Sequence, residues 1–151
     1  KRRGGDLKLV LMGKAVMQVP EREDILNLGF VSDQEKYDGM AAADFLVLPS
    51  YFESLSMSVL EAMALGRPVL VNGNCLVLKG HCDKSDGGLY YRNYLEFEGC
   101  VDYFLGHPAE VARMGKNALK YIDENYRWDV IIDRMETLIC DTFPETGPEE
   151  K

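Results

Sequence analysis

Two rhythms of apolar and polar positions alternate along the chain. Short apolar runs occupy residues 7–12 (LKLVLM), 28–31 (LGFV), 45–48 (FLVL), 68–71 (PVLV) and 88–91 (GLYY). Each is the length of a buried strand, and helical patterns separate them, which predicts a parallel sheet with helices on its faces. The first run ends at Gly13. Residues 20–26 (PEREDIL) open with proline and acids, as a first helical turn does, and predict a short helix. Ser32-Asp33-Gln34-Glu35 has the form of a capping box opening a helix that runs to about Ala42. Pro49 closes the third run. Ser54, Ser56 and Ser58 all qualify as caps for a helix that Gly66 and Pro68 end. Toward the C-terminus three stripes recur at helical spacing and predict core-facing helices: Phe97, Val101, Phe104; Val111, Met114, Ala118, Ile122; and Trp128, Ile131, Met135, Leu138. The fold class is therefore α/β, a doubly wound, Rossmann-like parallel sheet. Residues 1–142 form one domain, and residues 143–151 form a polar tail that is expected to fray.

Composition narrows the partners. With 151 residues, 46% of them hydrophobic, the chain can bury one sizeable core. A formal charge of −8, with no basic cluster beyond Lys1-Arg2-Arg3, argues against a nucleic-acid partner, which would need clustered cations to displace counterions. The sequence has no initiating Met, no signal peptide and no apolar run long enough to span a bilayer, so it reads as a piece of something longer. Its four cysteines, Cys75, Cys82, Cys100 and Cys140, lack any Cys-x-x-Cys spacing and fit a reducing cytosol, hence a cytoplasmic protein. Cys75, His81 and Cys82 would make three zinc ligands without a fourth, so no metal site is expected and His81 is read as structural.

One helix poses a chemical question. Glu61 lies in Val59-Leu60-Glu61-Ala62-Met63-Ala64-Leu65, a run that should be buried nearly all round, and a buried carboxylate needs a partner. In an open parallel sheet ligands bind beyond the carboxyl ends of the strands. The loop after residues 45–48 crosses that crest, and the next helix aims its N-terminal amides at the crevice, where a phosphate or diphosphate is the natural guest. Glu61, a little more than one turn in, is placed to accept two hydrogen bonds from a sugar diol rather than to bind the phosphate.

These residues resemble the group 1 (family 4-like) retaining glycosyltransferases of GT-B fold. Pro49-Ser50, then Glu53, then Glu61-Ala62-Met63-Ala64, then Gly66-Arg67-Pro68-Val69 stand in the order of that family's nucleotide-sugar domain. LVLMG, LGFVSDQEKYDGMAAADFLVLPS and the late ENYRWD fall where the family has their like. The resemblance implies a C-terminal, donor-binding half. In it Glu61 holds the ribose hydroxyls of a nucleoside diphosphate sugar such as a UDP- or GDP-sugar, and Glu53 acts at the donor sugar. The amides of Ser54, Leu55, Ser56 and Met57 approach the sugar and diphosphate, and Phe30 and Val31 lie against the base. It implies no separate cofactor and no bound metal, the nucleotide sugar being the substrate, with a hexosyl-type group passing to an acceptor hydroxyl in polysaccharide or glycoconjugate synthesis. Plainer readings stand beside these: a paired helix glutamate for Glu61, a solvated loop residue for Glu53, a core side chain for Phe30.

The chain departs from the family in two places. Ser54 and Ser56 stand where the family often has glycines, so either the loop uses ordinary dihedrals or the sugar pocket is remodelled. Residues 71–91 lack the family's Gly-Gly-x-x-Glu turn; Gly73 stands in for one glycine, and no role passes to Lys79 or His81. Upstream of Lys1 the family has a further strand and helix, bearing an Arg and a Lys for the leaving diphosphate, and an acceptor-binding domain before them. This chain alone is therefore expected to be inactive, with its sheet incomplete at the N-terminus and its unpaired edges favouring self-association. A GT-B sugar-nucleotide epimerase, a receiver-like signalling domain and a simple binding module are the alternatives.

Overall fold

The computed structural model describes residues 7–142, which divide into two compact units, one ending at Ala42 and the other beginning at Ala43. The basic start Lys1-Arg2-Arg3 and the tail at residues 143–151 lie outside the described residues.

In the first unit, β1 (Leu9–Met12) pairs in parallel with β2 (Ile25–Gly29), and α1 (Asp33–Ala42) follows. The register runs Leu9 to Ile25 through Met12 to Gly29, with an irregularity after Leu11. Gly29 has φ 65, and its carbonyl accepts from the Gly13 amide at 2.6 Å. The capping box forms as predicted. Glu35 Oε2 accepts from the Ser32 amide at 2.8 Å and from its hydroxyl at 2.7 Å, while Ser32 Oγ accepts from the Glu35 amide at 3.3 Å. Those bonds, the backbone one first, hold the Glu35 carboxyl below the usual carboxylate range.

The helix predicted over residues 20–26 does not form. Arg22 makes an isolated antiparallel bridge to Ile25, the Ile25 amide donates to the Arg22 carbonyl at 3.1 Å, and the Arg22 guanidinium pairs with Asp24 across the turn. Proline and acids begin turns as readily as helices, and this segment has no apolar stripe to hold a helix down. The second strand accordingly starts at Ile25 and ends at Gly29, leaving Phe30 and Val31 beyond it.

The second unit is a parallel α/β layer whose strands follow one another in chain order, with no reversal among the described residues. Strands β3 (Leu46–Leu48), β4 (Val69–Asn72) and β5 (Gly88–Tyr91) are all parallel in the order β3-β4-β5. Between them run α2 (Met57–Ala64) and α3 (Leu76–Ser85), and α4 (Tyr94–Gly106), α5 (Pro108–Asn125) and α6 (Trp128–Thr142) follow. β4 is buried at every position, as a central strand covered on both faces should be. On one face Leu70 meets Val101, Phe104 and Met114, with Phe45 against Phe104 at a centroid distance of 4.7 Å. The stripes predicted on residues 97–104 and 111–122 pack as core; Phe97 meets the Tyr91 ring edge-on, and Met114 and Ala118 are buried.

The third stripe does not. No residue of α6 is buried, and Trp128 is 79% exposed. Helical spacing reports that a helix has an apolar face, and on this one only Ile131 of the stripe is half-buried, the other three side chains being left exposed by the rest of the described chain.

α3 forms where no helix is predicted, yet its signal is present. Leu78, His81, Cys82 and Ser85 recur at helical spacing, and all four are buried.

Candidate functional site

The site is built at the carboxyl ends of β3 and β4. Leaving Leu48, the chain passes through exposed Pro49, Tyr51 and Phe52, reaches half-buried Glu53, then exposed Ser54 and Leu55, and enters α2 through buried Ser56. A short loop from a strand end into a helix brings the helix N-terminus, with its unsatisfied amides and partial positive charge, to the crest of the sheet. Met57 opens the helix and is 62% exposed.

Ser56 resolves the first departure from the family pattern. It has φ 65 and ψ 81, the left-handed region in which glycine is at ease and serine is strained. The loop thus keeps a glycine-like backbone with a serine in it. Ser54 is not among the positive-φ residues. Ser56 is the N-cap of α2 by position only. Its side chain makes no capping bond, and its carbonyl accepts from the Val59 and Leu60 amides, both at 3.2 Å.

Glu61 is partly buried, which corrects the expectation of a helix buried nearly all round. α2 sinks Val59, Leu60, Ala62 and Met63 and leaves Ala64 and Leu65 exposed, so the face carrying Glu61 reaches toward solvent. Glu53, Ser54, Leu55, Ser56, Met57 and Glu61 thus form one contiguous loop-and-helix patch. Phe30 and Val31 belong to the other unit, where Phe30 is 91% exposed and Val31 half-buried, so Phe30 is no core residue.

Residues outside the motif hold the crest in shape. The Asn72 side chain, buried at the end of β4, donates to the Pro49 carbonyl at 3.2 Å and accepts from the Asn74 amide at 3.0 Å. Asn74 in turn donates to the Arg92 carbonyl at 3.2 Å, so the ends of β3, β4 and β5 are cross-linked by polar side chains. Gly73 fits because there is no room for more: a Cβ there would stand 2.7 Å from the Tyr90 ring. Neither Asn72 nor Asn74 belongs to the sequence motif. An Asn-Gly-Asn sequence closing an apolar strand is the signal that could have found them.

His81 is buried, and its partners are specific. It is 5% exposed; Nε2 lies 2.9 Å from the Leu55 carbonyl, and Nδ1 lies 3.2 Å from the Tyr121 hydroxyl. A carbonyl only accepts, so Nε2 carries the proton and Nδ1 accepts from Tyr121. Tyr126 continues the chain at 3.3 Å from the Tyr121 oxygen. Burial, then the bond to Tyr126, keep the Tyr121 phenol above its usual range, so it stays protonated. Both imidazole nitrogens are engaged in these bonds. Among the described residues no cluster of His, Cys, Asp and Glu is placed to hold a metal ion. None of the helices among the described residues is long and apolar enough to cross a membrane.

The chain is similar to known proteins in sequence and in fold. A glycosyltransferase 1 domain-containing protein of Xenopus tropicalis is 33% identical over 97 residues, which cover 62% of this chain and 27% of that protein. An uncharacterized glycosyltransferase of Methanocaldococcus jannaschii is 30% identical over 135 residues, covering 82% of this chain and 34% of the relative. The chain therefore spans about a third of the length of the curated relatives it matches. HepE of Anabaena, solved in complex with UDP, superposes with a TM-score of 0.72 at 16% identity, over 89% of this chain and 41% of that one. At that identity the likeness establishes the fold, α/β with parallel sheets in the manner of a GT-B glycosyltransferase. The sequence profile described as "Glycosyl transferases group 1" matches residues 1–91, more than half of the chain, and the chain belongs to that family.

Proposed function

We propose that the chain is the nucleotide-sugar-binding half of a retaining glycosyltransferase, whose whole protein moves a hexosyl group from a nucleoside diphosphate sugar to an acceptor hydroxyl. The observation that carries this reading is the placement of two carboxylates, Glu53 and Glu61, on either side of a helix N-terminus at the carboxyl edge of a parallel sheet. The loop amides of Ser54, Leu55, Ser56 and Met57 meet the diphosphate, which binds there without help from the acidic overall charge. Glu61, its face turned toward solvent, accepts from the ribose hydroxyls, a task that suits a charged carboxylate next to a phosphate but not bonded to it. Glu53, nearer the strand end, faces the donor sugar. The donor is a substrate and no further cofactor is invoked. Transition-state charge develops on the leaving diphosphate, so the loop amides act where stabilisation counts most.

That HepE, a neighbour in fold, was solved with UDP supports uridine as the first nucleoside to try. Titration of the labelled chain with UDP, GDP and ADP, followed by amide chemical shifts, should perturb residues 53–61 with one of the three. Shifts confined to other parts of the chain, or none with any nucleotide, would sink the reading. The retaining outcome is read separately, from the anomeric configuration of the product made by the whole protein.

A further inference from the structure

The buried imidazole of His81 reaches into the loop at one point, the carbonyl of Leu55, and that atom belongs to the same peptide plane as the Ser56 amide. In a planar trans peptide the C=O and the next N–H point in opposite directions. Drawing the Leu55 oxygen toward His81 therefore turns the Ser56 N–H to the side away from it. The same plane governs the φ of Ser56, which sits at 65 in a region that serine does not choose unaided. A strained residue persists where its surroundings over-determine it, and the hydrogen bond from Nε2 is such a constraint. Behind it, the Tyr121 hydroxyl supports Nδ1, and Ser85 Oγ donates to the His81 carbonyl at 2.6 Å, so neither the ring nor its helix is loose.

We propose that His81 is a positioning residue for donor binding: by fixing the Leu55 carbonyl it holds Ser56 in its left-handed conformation and aims the Ser56 amide for the diphosphate. This rests on the donor-domain reading, and the role belongs to one atom, Nε2. His81 touches no substrate.

Two amide substitutions separate the two nitrogens. In His81→Gln the side-chain amide reaches the place of Nε2 and can still donate to Leu55. In His81→Asn it reaches only the place of Nδ1, keeping Tyr121 and losing Leu55. Two readouts apply to each variant and to the wild type: hydrogen exchange of the Ser56 and Met57 amides, and calorimetric affinity for UDP. Loss of one buried hydrogen bond predicts roughly fivefold faster loop exchange and roughly fivefold weaker UDP binding in His81→Asn, with His81→Gln close to wild type in both. A merely structural histidine would lower the unfolding midpoint of both variants and leave the affinity of the folded fraction alone. Equal behaviour of the two variants in both readouts overturns the proposal, as does wild-type loop exchange in His81→Asn. Should His81→Asn not fold, His81→Met carries the contrast: it fills a similar volume but offers Leu55 no donor, and unchanged loop exchange there overturns the idea. If the wild type binds none of UDP, GDP and ADP, the donor reading fails by itself, while the exchange comparison still decides whether His81 holds the loop.

Discussion

Gly115 offers a sharp test of how α2, the helix that carries Glu61, is seated. It lies in α5 against the turn that ends α2, and a Cβ built on it would stand 2.2 Å from the Gly66 carbonyl oxygen and 3.3 Å from its carbon. Gly66 itself has φ 68, so this turn has little freedom to retreat. Two effects oppose each other in Gly115→Ala. Alanine in a helix interior is favoured over glycine by about 1 kcal/mol. Overpacking costs about 1–3 kcal/mol, and the upper end applies because the obstruction is backbone, which no rotamer change relieves. The packing penalty wins, by about 2 kcal/mol.

The same fold supplies its own controls. Gly80 in α3 and Gly99 in α4 have nothing within 4 Å of an added Cβ, so alanine there should show the propensity gain alone, about 0.5–1 kcal/mol. Urea titration followed by far-UV circular dichroism measures all three. For a chain of this size the expected loss in Gly115→Ala corresponds to a melting point lower by about 4–8 °C. A Gly115→Ala protein as stable as wild type would refute the reasoning, because α2 and α5 would then have slack that the close approach denies them. Destabilisation by Gly80→Ala as well would show that the helix-propensity side of the comparison is wrong.

Other outcomes follow from the site and its surroundings. Glu61→Ala should weaken UDP and a UDP-sugar alike, by about 1.5–3 kcal/mol for lost charged hydrogen bonds, whereas Glu53→Ala should weaken only the sugar-bearing ligand; calorimetry on the whole protein tests this, and equal losses in Glu53→Ala would contradict the assignment of that carboxylate to the sugar. Ser56→Gly should lie within about 0.5 kcal/mol of wild type in urea, since relief of strain offsets the looser unfolded chain, while Ser56→Val should cost about 2 kcal/mol. The Cys82 thiol, which burial and then the neighbouring Asp83 carboxylate push up to about 12, should resist iodoacetamide in the folded chain while exposed Cys140 is alkylated, as peptide mapping will show. A raised thiol pKa favours the neutral folded form, so its contribution to stability is complete below the ~8.5 of an exposed thiol and is lost as pH climbs toward the folded value.

Sequence reasoning reached the parts of this fold where one local signal decides. The capping box at Ser32 and Glu35, the buried strands β3 and β4 and the helix between them were legible because apolar runs and punctuating residues agree. Residues 20–26 misled because proline and acids serve a turn as well as a helix, and only the pairing of Ile25 with Leu9 chooses between them. The apolar stripe of α6 was visible, but its burial was not, since burial depends on what lies opposite. α3 was hidden in a segment read as a departure from family glycines, although its helical spacing was there to count.

The site divides along the same line. Glu53 and Glu61 announce themselves by type and spacing, because a carboxylate amid apolar neighbours asks for a reason. The residues that shape the loop around them do not. Asn72, Asn74, His81 and Tyr121 each look ordinary in sequence, and each acts through a backbone carbonyl or a side chain far along the chain. Ser56 joins the two sets: its side chain suggests a cap, yet it caps nothing, and its backbone adopts a conformation that the residue type argues against. Where a local preference is overruled, the tertiary contacts that overrule it are the ones to mutate. Here one of them, the His81 hydrogen bond to the Leu55 carbonyl, falls on the peptide plane that leads into Ser56, so that under our proposal the chemistry of the loop depends on a histidine the motif does not contain.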